Sequence, residues 1–435
     1  MFTDDREIFR KDPVAEQYDA QIEKLGIRDL FSAELKFLDL SGRTMDDDLK
    51  LIIDTIQDSL LPRLNALMLN DNGLRSLPEA VLKKSSVSIL YAAQNELVSL
   101  AGVGALKSLK FLTVDNNQIA AIPASISKCK NLKSLYAQDN NISELPPEIE
   151  CLSNLEALYL ANNQITDLPE SLRFCKKLDG ASLRGNLLSR IPSVLFELRK
   201  LKTLHLSRNA ITEVPEIICN LQALKILDLR HNKITRLPEN IGRLQALKLL
   251  DCSYNSLVEL PSSIGDLRNL EQAFFEHNVL EALPKEMGQL SNLREVNFSN
   301  NNLKFIPMQI GMQAMTLSAT FGGNPFPTAQ YLRRSSQEKP PMSAISLRDA
   351  AYRQILTHYR DTQVIKLLPP YLGSRSRMPC DVCRAPAFQD TNKSLLVGIG
   401  VDRIVLPCQF VVCSDVCALR AKSRSLAVIT PESPL

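Results

Sequence analysis

The 435-residue sequence has no tryptophan, only 6% aromatic residues and 4 histidines. A core built on large rings is excluded, and aliphatic packing is what remains. Charge of one sign is lacking as well. The chain holds 51 Lys and Arg against 48 Asp and Glu, a net of +3, so as a whole it carries no general signal for nucleic acid. Long apolar runs are missing. The opening residues, Met1 to Lys11, are dense in charge, whereas a secretory signal needs an apolar run of about 7 to 15 residues. The late apolar stretch from Leu395 to Val412 is broken by Asp402 and Arg403, which a membrane span does not accommodate. A cytoplasmic protein is expected, with the nucleus as a second compartment. Its ten cysteines are then reduced thiols or metal ligands rather than disulfides. At 45% hydrophobic and 23% charged residues, the chain can bury a core, which excludes wholesale disorder.

What is present is a period. The pattern L-x-x-L-x-L-x-x-N-x-L stands in Leu155-Glu-Ala-Leu158-Tyr-Leu160-Ala-Asn-Asn163-Gln-Ile165. Its Asn recurs at 72, 95, 117, 140, 163, 186, 209, 232, 255, 278, 301 and 324, with ten intervals of 23 residues and one of 22. An earlier copy, Leu35 to Arg43, has Arg where Asn should stand, and its 29-residue spacing to the next copy holds a helical insert from Met45 to Leu60. The L-x-L pair alternates with period two, so it predicts a short strand with both leucines facing inward. An Asn at the following turn can bond neighbouring backbone groups from coil to coil. Leu168-Pro169 and Leu237-Pro238, each with an apolar residue three positions after the Pro, predict a short helical or extended segment on the opposite side. One coil cannot bury its own face, so coils must stack.

These motifs resemble the intracellular leucine-rich repeat family, from about Leu35 to Phe326. The expected fold is an α/β solenoid, a horseshoe with a parallel sheet on its concave face. About thirteen repeats should fill residues 35–330, after an N-terminal cap helix within residues 1–34. Phe321-Gly-Gly-Asn324-Pro-Phe326 lacks the leucines of earlier copies and reads as a closing repeat.

On each strand the residues six, four, two and one before the Asn face outward and build no core. The first half offers Tyr91, Phe111, Tyr136 and Tyr159, with Met68 before them. The middle offers Arg184, His205, Arg208, Arg230 and His231. The last third offers Asp228, Asp251, Tyr254, Phe274, Glu276 and His277. An aromatic stripe followed by a basic patch suits a protein-binding surface. The plain alternative is that the rings stack on one another and merely shield the sheet. The histidines lie on different coils, which argues against a metal site there. No Ser-His-Asp order, phosphate loop or HExxH occurs, so no enzyme is expected.

Past Tyr331 the repeat stops. Residues 331–435 hold 15 Lys and Arg against 8 Asp and Glu, a net of +7. Residues 331–345 read as a linker. Within 346–372, Leu347, Ala351 and Ile355 stand four apart behind Ser346, a natural N-cap, which predicts an amphipathic helix. Its plain reading is a cap on the last repeat. Residues 373–422 contain Cys380-x-x-Cys383 and Cys413-x-x-x-Cys417, the spacing of a four-thiolate structural zinc site. Cys408 competes with Cys413 for one position, and unligated or redox thiols are the alternatives. The 38 residues from Cys380 to Cys417 are few for an unaided core, whereas zinc contributes on the order of 10 kcal/mol or more. Residues 423–435 read as a disordered tail. Cys129, Cys151, Cys175, Cys219 and Cys252, scattered through the coils, read as packing residues.

The Ser346 helix resembles the Elongin-binding box, with Ala351 where Cys is favoured. Its order with Tyr371-Leu372-Gly373-Ser374 and the two cysteine pairs is similar to that of the leucine-rich repeat-containing protein 58 family. The resemblance implies the substrate-recognition subunit of an Elongin–cullin ubiquitin ligase. Elongin B, Elongin C and a cullin would be partners through Leu347, Ala351 and Ile355, and a protein substrate would lie on the concave face. Leu-Pro-x-Pro is not met at Leu368-Pro369-Pro370-Tyr371, so the cullin is not specified. The 23-residue repeats also resemble Ras-pathway and polarity proteins, which implies an intracellular signalling scaffold with no ligase link. A nucleic-acid-binding tail is disfavoured because it lacks the aromatics that stack bases.

Overall fold

The computed structural model describes residues 36–42, 64–84, 86–307, 309–310, 318–326, 393–401 and 404–412. The expected cap helix, the Met45–Leu60 insert, the Ser346 helix and the paired cysteines Cys380, Cys383, Cys413 and Cys417 lie outside them. The chain divides into two compact units, residues 1–188 with 192–201, and residues 189–191 with 202–435.

The first unit stacks seven short strands: β1 (Phe37–Asp39), β2 (Ala66–Met68), β3 (Ile89–Tyr91), β4 (Phe111–Thr113), β5 (Ser134–Tyr136), β6 (Ala157–Tyr159) and β7 (Gly180–Ser182). Each pairs in parallel with the next, one repeat on, so that Leu135 stands beside Leu158 and Tyr136 beside Tyr159. The second unit repeats this with β8 (Thr203–His205), β9 (Ile226–Asp228), β10 (Leu249–Asp251), β11 (Gln272–Phe274) and β12 (Glu295–Asn297). β13 (Ile306–Pro307) leaves the series, and β14 (Ser318–Thr320) rejoins it in parallel beside β12. β15 (Lys393–Val401) and β16 (Ile404–Val412) form an antiparallel hairpin whose second strand lies parallel to β13, Cys408 beside Ile306. The register of the hairpin runs from Lys393 beside Val412 to Val401 beside Ile404.

Alternation buries the expected leucines in both units. Leu158 and Leu160 are 2% and 0% exposed, and Leu227 and Leu229 are both 0% exposed. Opposite the strands the chain forms 3-10 turns, such as Ala124–Lys128, Pro147–Cys151, Ser262–Asp266 and Lys285–Gln289. A proline in extended conformation precedes each of these four. The residue three after it (Ile126, Ile149, Ile264, Met287) donates its N–H to the proline carbonyl and is buried. A 3-10 turn suits this place because it reaches round a coil in few residues. Neighbouring turns lie close: a Cβ at Gly265 would collide with the Glu286 carbonyl oxygen.

The repeated asparagines hold the turns together. Asn163 Oδ1 accepts the Ile142 N–H at 2.9 Å, while its Nδ2 donates to the carbonyls of Ala137 (2.9 Å) and Leu160 (3.1 Å). Asn255 repeats this with Ile234, Leu229 and Cys252 at 3.0, 3.0 and 3.1 Å. Asn324 carries it into the closing repeat, donating to the Phe298 carbonyl at 2.8 Å. The bonds satisfy buried backbone groups that a turn would otherwise leave unpaired.

One expectation about the cysteines is corrected. Cys129, Cys175, Cys219 and Cys252 are buried, but Cys151 is exposed. Cys129 and Cys175 follow their 3-10 turns as C-caps, whereas Cys151 is the last residue of its own turn. That one-position shift points it outward. Burial pushes the Cys129 and Cys175 thiols up to about 11 and about 12, so these two are inert packing groups at neutral pH.

Candidate functional site

The parallel register aligns outward side chains of successive coils into rows. In the first unit these rows carry rings. Tyr91, Phe111, Tyr136 and Tyr159 pack in series, with centroids 5.1, 5.2 and 4.8 Å apart. The last pair is stacked with nearly parallel planes, tilted by 8°. Each ring shields the next, so Phe111, Tyr136 and Tyr159 are only 7 to 9% exposed. The stripe ends over Gly180, where a Cβ would come within 3.0 Å of the Tyr159 hydroxyl. The sequence-predicted residues of this half are thus brought together as one cluster with Ile89 and Ala157. Arg184 lies in the next coil, half-buried.

The second unit carries charge at equivalent positions. Asp228 and Asp251 take the place that Tyr136 and Tyr159 hold in the first unit, four residues before the Asn. Arg230 Nε lies 3.6 Å from Asp228 Oδ2 and 4.0 Å from Asp251 Oδ2, and His205 Nδ1 lies 3.6 Å from Asp228 Oδ2. Asp228 is 1% exposed, Asp251 7% and Arg230 8%. The expected basic patch is therefore a mixed cluster, because its Arg230 and His205 face acids one coil away. Arg208 is exposed at the turn, and Phe274 is half-buried one coil beyond Asp251.

Burial raises these carboxyls, and neighbours decide which stay ionised. For Asp228 the desolvation is outweighed by His205 and Arg230, which hold it below its ordinary value. Asp251 is pushed up to about 6 by burial and by the charge of Asp228. Glu276 is pushed up to about 7, by burial first and then by Asp251 and Glu295. In the first unit, burial pushes Asp115 up to about 6, even though its carboxylate accepts the Gln138 N–H at 2.7 Å.

A feature the sequence reading missed borders both surfaces. The residue just before the ladder Asn adopts left-handed backbone, with φ of 53° to 57° at ten non-glycine positions. In the second unit this lines up His231, Tyr254 and His277 as a stack with 4.2 Å between successive centroids. Asn300 Nδ2 sits 3.0 Å from His277 Nε2 at its end. The signal was present in Gly185 and Gly323, which occupy the same position with φ of 66° and 71°.

Comparison with known proteins places this architecture. A leucine-rich repeat region model matches residues 80–209 and 216–310, more than half of the chain, and a single leucine-rich repeat model matches 200–221. Human Toll-like receptor 1 is 36% identical over 70 residues, 16% of this chain and 9% of that protein. Human Toll-like receptor 6 is 26% identical over 125 residues, 23% of this chain and 16% of that protein. Both matches therefore span only a small part of those relatives. Among solved structures, a TDR receptor has TM-score 0.58 and 26% identity, covering 64% of this chain and 50% of its own. The Arabidopsis receptor kinase HAESA, solved with the peptide hormone IDA and the co-receptor SERK1, has TM-score 0.57 and 27% identity, covering 68% and 51%. With its 23-residue period, its parallel strands and its asparagine ladder, the chain belongs to the leucine-rich repeat family.

Proposed function

We propose that the protein is a protein-recognition module that binds its partner across the outward face of the strands. The observation carrying this reading is that the outward rows build no leucine core, yet display a packed aromatic stripe in one unit and a charged cluster in the other. Rings already held by their neighbours lose little side-chain entropy on binding, which favours them as anchors. HAESA, bound to a peptide hormone and a co-receptor, supports protein ligands for a fold of this kind. The test compares Tyr91→Ala and Tyr159→Ala with Phe174→Ala, a control in a 3-10 turn that is 49% exposed. Partner recovery should fall in the first two and persist in the third, with all three variants folded.

For the tail we propose docking of Elongin B, Elongin C and a cullin through Leu347, Ala351 and Ile355, which makes the bound partner a ubiquitination substrate. Structural zinc on Cys380, Cys383, Cys413 and Cys417 would order this region. The sequence motifs support this reading. The hairpin adds support, because pairing Lys393 with Val412 folds back part of the chain between the cysteine pairs, and its second strand ends next to Cys413. A cytoplasmic or nuclear location accompanies the proposal. Among the described residues no helix is long and apolar enough to cross a membrane. Burying one leucine contributes about 1.5 to 3 kcal/mol, so Leu347→Ala should cut Elongin C recovery roughly ten- to hundredfold, and elemental analysis should find one zinc per chain. Absence of Elongin C from the wild-type complex would favour the scaffold reading.

A further inference from the structure

The charged rows of the second unit pose a physical problem that the aromatic rows do not. Asp228, Asp251, Glu276 and Glu295 stand on successive coils, the two aspartates four residues before their Asn, Glu276 two before and Glu295 six before. Arg230 lies between the first two, and His205 lies at the start of the row. Some of their needs are met locally. Asp228 Oδ1 accepts the Arg230 N–H at 3.1 Å. Asp251 Oδ1 accepts the Ser253 N–H at 3.0 Å and its hydroxyl at 2.6 Å. Glu295 Oε2 accepts from Gln272 Nε2 at 2.8 Å. Glu276 Oε2, by contrast, is buried with no hydrogen-bond donor among the described residues. These charges oppose one another: Asp228 raises Asp251, and Asp251 and Glu295 raise Glu276, with the Arg230 guanidinium acting the other way.

We infer that this cluster is a proton-operated charge switch on the strand face: mild acidification protonates Glu276 and Asp251 while Asp228 keeps its charge with Arg230 and His205. The face then sheds negative charge with no change of backbone. A partner that docks there through basic groups is held at neutral pH and released on acidification, as lost charge complementarity requires. This consequence rests on the proposed binding role; the switch itself does not. The two raised carboxyls lie near 6 and near 7, and because they interact they titrate as a coupled set.

An acid whose pKa is raised on folding binds its proton more tightly in the native state, so it destabilises the native state at high pH. That penalty is relieved as pH falls through the folded value toward the ordinary value of about 4. The test uses the full chain without any partner. Infrared titration of the carboxyl stretch should show protonation between about pH 7.5 and pH 5.5 in the wild type. Glu276→Gln should remove the higher part and Asp251→Asn the lower, leaving a residual set shifted by the lost coupling. In urea denaturation, each near-isosteric variant should gain midpoint over the wild type at pH 8 and lose that advantage at pH 5. Titration of all carboxyls near the ordinary value, or variants whose advantage does not depend on pH, would overturn the switch. The binding role would still stand, since it is judged by Tyr91→Ala and Tyr159→Ala.

Discussion

The two units place different chemistry on the same backbone. Asn163 in one and Asn255 in the other make matching bonds to three backbone groups, at 2.9 to 3.1 Å. Leu158 and Leu227 are equally buried. Four residues before those asparagines, however, one unit presents Tyr159 and the other Asp251. Inward positions answer to the stack as a whole, so they vary little along the chain. Outward positions answer only to the residue one coil away, which leaves two stable solutions. Ring on ring satisfies Tyr136 and Tyr159, and acid beside base satisfies Asp228 and Arg230. The constrained element of the surface is the row rather than the single residue, as with neighbours across any pair of strands.

The largest effects are expected where the two units are alike. Leu158→Asp and Leu227→Asp should each unfold the unit that holds them, since a buried, unpaired carboxylate costs several kcal/mol. Thermal melting followed by circular dichroism should show equal damage. Next come Asn163→Ala and Asn255→Ala. Each strands an N–H and at least one carbonyl, at about 1 to 3 kcal/mol per group, and calorimetry should rank them alike and below the leucine pair. A large difference between Asn163→Ala and Asn255→Ala would mean that the ladder is not equivalent in the two units. The smallest effect separates the surfaces. Asp115→Asn removes a half-buried acid whose pKa is raised to about 6. It should stabilise the first unit by up to about 3 kcal/mol at pH 8 and by only about a third of that at pH 4.5, as read from urea midpoints at the two pH values.

Most of the shared framework was legible in the sequence, because each repeat tests the same pattern again. The inward leucines, the bonding role of Asn and the apolar residue three after Pro all follow from spacing alone. The left-handed residue before the Asn was hidden at Gln94, Arg208 and Tyr254, types that rarely take a positive φ, although Asp71, Asn116, Asp139, Asn162, His231, His277 and Asn300 belong to the types that favour it. Gly185 and Gly323 pointed the same way. The charge cluster was misread for another reason. Arg230 was counted as a cation in isolation, although Asp228 is two residues away and Asp251 lies one repeat after Asp228. Sequence shows charge residue by residue; register shows which charges meet. The β15–β16 hairpin escaped because its partner strand, β13, lies far away in sequence. A two-residue pairing of that kind leaves no periodic trace.

The proposed recognition surface is the strand face of both units. Hydroxyl-radical footprinting of the full chain, alone and bound to its protein partner, tests it most directly. Among the outward residues, protection is predicted at Tyr91 in the aromatic stripe and at Tyr254 beside the charged rows, with Phe174 and Ile217 on the 3-10 turns labelled as strongly as before. Protection of Phe174 and Ile217 with Tyr91 and Tyr254 unchanged would contradict it.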